Sequence, residues 1–128
     1  MKPEDFLKNG KVHVWKADFA VVKSRRTYEG AFANIVDKKE TTVIIEQSKY
    51  DKRDAIEAEE GWKLLTFDMV LPFELVGFMA AVSKVLADEK ISIFAISAYS
   101  TDHILIKKEM LGKAKKVLER LGCNVEEH

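Results

Sequence analysis

From Trp62 onward the apolar residues change period in a fixed order, and that order restricts the possible folds more than anything else in the chain. Residues 62–70 (WKLLTFDMV) are strand-like and end at Leu71-Pro72. Over residues 73–88 the apolar positions are Leu75, Phe78, Met79, Val82, Val85 and Leu86, the spacing of an amphipathic helix. Val76, Ala80 and Ala81 widen the stripe, which predicts burial on more than one side. Residues 91–98 and 103–107 are two short strands close enough to form a hairpin. Residues 110–121 place Leu111, Ala114, Val117, Leu118 and Leu121 on one helical face and Lys113, Lys115, Lys116, Glu119 and Arg120 on the other. Gly122 stands where a helix end favours a left-handed residue, and residues 123–126 form an expected edge strand. The order β-α-β-β-α-β predicts an α+β, ferredoxin-like module in which two helices cover one face of a four-stranded antiparallel sheet.

The first half is less regular. Residues 12–23 (VHVWKADFAVVK) are long for one strand and are expected to bend near residues 16–18. Residues 27–37 (TYEGAFANIVD) suit a short helix or an irregular turn, and residues 40–47 (ETTVIIEQ) are a strand by their β-branched content. Together they predict a smaller β-α-β module. Residues 48–60 (SKYDKRDAIEAEE) are dominated by charge and suit a short exposed helix or a connection. The expected division is therefore 1–60 and 61–128, with no Pro- or Gly-rich linker to separate the modules.

Composition narrows the function classes. The 21 Lys and Arg balance 21 Asp and Glu, so no net charge draws the chain to nucleic acid or to anionic lipid. No apolar run approaches the ~20 residues of a membrane span. The single Cys123 has no internal partner, and the start MKPEDFLKNG lacks the apolar core of a signal peptide, so a reduced, cytoplasmic setting is expected.

Four constellations bear on chemistry. Ser97, Asp102 and His103 are the residue types of a hydrolytic triad, but successive residues of a strand point to opposite faces, which separates Asp102 from His103. No catalytic role follows. The three histidines, His13, His103 and His128, form no metal-ligand spacing with one another or with Cys123, and no GxxxxGK or GxGxxG occurs. No metal or cofactor is expected, and His103 is expected at the surface or at a dimer seam. Lys113, Lys115 and Lys116 are diluted by Glu109 and Glu119 into a solvated helix face.

The fourth constellation is a ligand site. The loop after residues 62–70 leads into a helix whose first N–H groups lack internal partners and attract a carboxylate. Gly77 weakens that first turn, as expected where a ligand or another backbone approaches closely, although tight packing against a strand explains it equally well. Opposite, Ser97 and Thr101 offer hydroxyls and Asp102 a carboxylate suited to an ammonium group. The alternative is that Thr101 and Asp102 only close a hairpin turn. Anion at one end and cation at the other suits a free amino acid.

Residues 61–125, through VLPFELVGFMAAVSKVLADEKISI, IFAISAYSTDHILI and the closing LGCNV, resemble an ACT domain. The likeness is to the aspartokinase-like branch, which includes small stand-alone tandem proteins and the CASTOR-type arginine sensors. The hairpin departs from the family pattern at Ala98 and at His103, and the first half resembles a degenerate ACT-like module. The resemblance implies a non-catalytic regulatory protein that pairs as a homodimer, binds a free amino acid or similar small ligand at a module interface, and acts on a partner protein. The implied walls are Phe73, Leu75, Val76, Gly77 and Phe78 on one side and Ser97, Ala98, Tyr99, Thr101 and Asp102 on the other. The competing implication is an ACT-like dimerisation or docking module with no ligand.

Overall fold

The computed structural model describes residues 2–73 and 75–127 and divides the chain into two units, residues 1–16 with 63–128, and residues 17–62. The first unit contains α1 (Pro3–Leu7), β1 (Lys11–Val14), the second half of β5 (Ala55–Asp68), α2 (Phe78–Asp88), β6 (Phe94–Ser97), β7 (Asp102–Lys107), α3 (Leu111–Arg120) and β8 (Asn124–Glu127). Its strand order is β6-β7-β5-β1-β8. The β-α-β-β-α-β order and the α+β class are as the apolar periods predict. A fifth strand, β1, lies between the first and last strands of that motif, antiparallel to β5 and parallel to β8.

Burial explains why β1 belongs there. Val12 and Val14 share one face of the sheet and join Leu65, Phe67, Ile104 and Ile106 in a core roofed by Phe78, Val82 and Leu86 of α2 and Ala114, Val117 and Leu118 of α3. Removing this apolar surface from water at about 25 cal/mol per Å² is the main force that holds the N-terminal strand to the C-terminal half. The expected division at residue 60 is thus displaced on its N-terminal side: residues 2–16 fall in the same unit as residues 63–127. Gly122, with φ +98, ends α3 in the expected left-handed conformation.

The second unit has strand order β3-β4-β2-β5, from β2 (Phe19–Ser24), β3 (Ala33–Val36), β4 (Thr41–Glu46) and residues 55–62 of β5. The bend expected near residues 16–18 separates β1 from β2. Residues 27–32 are turn, not helix, because side chains hold them so. Asn34 donates from its amide to the Tyr28 carbonyl and accepts the Tyr28 N–H, each at 2.8 Å. The buried Tyr28 hydroxyl donates to Asp54 and accepts the Asp51 N–H, while the Arg26 guanidinium lies 3.8 Å over its ring and bonds Asp54 at 3.0 Å. The charged stretch expected as helix or connection becomes a 3₁₀ turn (Lys52–Asp54) followed directly by β5, which starts seven residues before the expected strand. Opposite β2, three steps on β5 from Trp62 to Glu59 match two from Phe19 to Val21, and Gly61, at φ +80, supplies the left-handed backbone this bulge needs.

His103 departs from its expected surface position. It is 8% exposed, and its Nδ1 lies 2.9 Å from Thr66 Oγ1, which also accepts the Trp15 indole N–H at 2.9 Å. Burial pulls the imidazole pKa below its ordinary 6.5, partly offset by the Asp102 carboxylate. The folded chain therefore keeps the ring neutral while the unfolded chain takes up a proton below that pH. The stabilisation is complete above pH 6.5 and is lost as pH falls from there through the depressed folded value. Urea midpoints measured from pH 7.5 down to 5 are expected to fall, and to fall less in a His103→Gln chain.

Candidate functional site

All ten residues expected at the site lie in the first unit, on two segments that meet. The loop before α2 and the β6–β7 hairpin are joined by the Leu71 N–H donating to the Ser100 carbonyl at 2.9 Å. They are joined again by an edge-to-face contact of the Phe73 and Tyr99 rings, centroids 4.7 Å apart. Within the hairpin the Ala98 N–H donates to the Thr101 carbonyl at 2.9 Å. Ser97 and Asp102 face one another across the ladder, and His103 is opposite Ile96. Because side chains alternate along a strand, Asp102 shares the helix-covered face with Ile104 and Ile106, as does Ser97. His103 points to the opposite face, so no Ser-Asp-His triad exists.

Helix α2 begins later than the apolar stripe suggests. Gly77 is its N-cap at φ 85, ψ 11, with no side-chain cap. Its carbonyl takes the Ala81 N–H at 2.9 Å, so the leading N–H groups are those of Phe78, Met79 and Ala80, beyond the expected Val76 and Gly77. Space around Gly77 does not demand glycine, since an added Cβ would make an ordinary 3.7 Å contact with Pro3; the positive φ does. Phe78 is another departure from expectation. Its ring is buried in the core, edge-on to Phe67 at 5.6 Å, so only its backbone is available to a ligand. Leu75 is partly buried against the same core.

Around this site Val70, Phe73, Val76 and Tyr99 are 75, 74, 83 and 81% exposed, an apolar rim on both segments. Asp102 is half-buried at the start of β7, directly across the ladder from the exposed Ser97. Uncapped helix N–H groups suit an anion, and a carboxylate such as that of Asp102 suits a cation. Sequence reasoning did not find the groove between the C-terminal end of α2 and one face of α3, about 570 Å³ and lined by Glu89, Lys113, Lys116, Glu119 and Arg120. Its charges are mixed and solvated, with Arg120 3.9 Å from Glu89, which gives no single ligand chemistry. Among the described residues no three His, Cys, Asp or Glu side chains come together as a metal site, and no helix is long and apolar enough to cross a membrane.

A family model described as an ACT domain matches residues 57–120, half of the 128-residue chain. Among curated proteins, none matches the sequence. An Agobacterium tumefaciens protein has the same fold at 17% identity and TM-score 0.80, covering 94% of each chain. A Vibrio cholerae protein, described as of unknown function and a possible transport protein, matches at 21% identity and TM-score 0.74 over 91% of this chain and 93% of its own. The ligand-free regulatory subunit of aspartate kinase from Thermus thermophilus matches at 10% identity and TM-score 0.66, over 90% of this chain and 97% of its own.

Proposed function

This chain belongs to the ACT domain family, and we propose that within it the protein is a non-catalytic regulator that binds a free amino acid. The ligand carboxylate sits on the N–H groups of Phe78, Met79 and Ala80, Asp102 takes the ammonium group, and Ser97 and Thr101 complete the polar contacts. Gly77 lets the chain enter α2 without a side chain over those N–H groups, while Phe73, Leu75, Val76, Ala98 and Tyr99 form the apolar surround. The protein works as a homodimer in the cytoplasm and passes its signal to a partner protein.

The observation that supports this reading is the joining of loop and hairpin through Leu71–Ser100 and Phe73–Tyr99, which ties the segment leading into the uncapped start of α2 to the hairpin that carries Ser97 and Asp102. A thermal-shift screen of the twenty amino acids tests it. One or a few are expected to raise the melting temperature, by about 2.7 kcal/mol of stabilisation at 100 times the dissociation constant. Asp102→Ala should abolish most of that shift. A shift that survives the substitution rejects the site.

A second reading is favoured by the exposed rim of Val70, Phe73, Val76 and Tyr99. In it the same surface is a dimerisation or docking face with no ligand. It predicts no shift with any amino acid, and a dimer that Val76→Asp converts to monomer.

A further inference from the structure

We infer that the N-terminal segment, residues 3–10, is a third wall of the candidate site and positions its loop. The ligand's identity here rests on the amino-acid reading above; the wall does not. The segment meets the loop at both ends. Beside Gly77, the point where a Cβ would stand is 3.7 Å from Pro3 Cγ. At Gly10 the equivalent point is only 2.6 Å from both Met69 Cε and the Phe6 carbonyl oxygen, so Met69 lies directly across the Gly10 backbone. The hairpin holds the middle of the same loop, at Leu71 and Phe73.

The segment itself is fixed at its base. Leu7 is 1% exposed in the core, and the Cys123 thiol donates to its carbonyl at 3.4 Å. The Asn9 N–H donates to Gly122 and the Asn124 N–H to Gly10, each at 2.8 Å. The α3–β8 corner thereby holds α1 against the loop and beside the start of α2. Pro3 is suited to that place: its ring offers no hydrogen-bond donor and no charge beside Gly77, the residue that starts α2.

The test has a part that needs no ligand and a part that does. In the ligand-free Pro3→Gly chain, hydrogen exchange of the Leu71 and Leu75 amides is expected to rise ~5-fold or more, as local opening becomes easier, while amides of β4 are unchanged. In Pro3→Asp, a carboxylate held beside Gly77 should weaken binding of whichever amino acid stabilises the unmodified chain by ~10-fold or more, whereas Pro3→Ser changes it less than ~2-fold. Unaltered exchange in Pro3→Gly overturns the proposal. So does a Pro3→Asp chain that binds as tightly as the unmodified one. If exchange rises but no amino acid binds the unmodified chain, the wall stands and the amino-acid reading of the site falls.

Discussion

Replacing Phe67 with alanine is expected to destabilise the chain by ~3–5 kcal/mol, the range for emptying a buried aromatic position. Phe67 is 0% exposed and lies edge-on to Phe78 at 5.6 Å, at the point where α2 starts. Loss of the ring removes both its own burial and the support of the first helical residue. Against a typical total of ~5–15 kcal/mol, the variant retains a fraction of its stability, read as a lower urea midpoint with an unchanged slope. Phe73→Ala is the internal comparison. That ring is 74% exposed and touches Tyr99 only at an edge, so its loss should amount to about 1 kcal/mol or less. Equal effects at the two positions would contradict the placement of α2 on the core.

Gly10→Ala is expected to have the second largest effect, ~1–3 kcal/mol, through overpacking. The Met69 methyl can swing away from an added Cβ, but the Phe6 carbonyl, also 2.6 Å from it, is backbone and moves only with α1. The strain therefore falls on the last turn of α1 and on the start of the loop before α2. Thermal melts should show a lower midpoint, and exchange should speed up at the amides of residues 6–10 before those of β2 or β4. Glycine is required here by the close approach and not by its φ, which is absent from the left-handed positions.

The C-terminal pattern was legible because its elements have one buried face each. Leu75, Phe78, Val82 and Leu86 announce α2, but the stripe says nothing about where the backbone turns, and the positive φ of Gly77 starts the helix later. Residues 55–60 carry no period-2 signal, since most of them are exposed on both faces of β5, so a strand looked like a charged connection. The insertion of β1 depends on pairing residues 11–14 with 65–68, which no local pattern encodes. In the hairpin, alternation correctly set Asp102 and His103 on opposite faces. It could not say that the His103 face is covered too, which is why a buried histidine was expected at the surface. The polar anchors were readable as residue types; the clip between Leu71 and Ser100, and the nearness of Pro3 to Gly77, are long-range contacts that were not.

On the proposed function, an amino acid bridges the start of α2 and Asp102. Backbone amide chemical shifts recorded while the stabilising amino acid is titrated into the full chain test it most directly. The largest saturable shifts are expected at Phe78, Met79 and Ala80, with matching shifts at Ser97 and Asp102, all reporting one dissociation constant. Saturable shifts confined to the groove of Lys113, Lys116 and Arg120, with the α2 start unmoved, would contradict it.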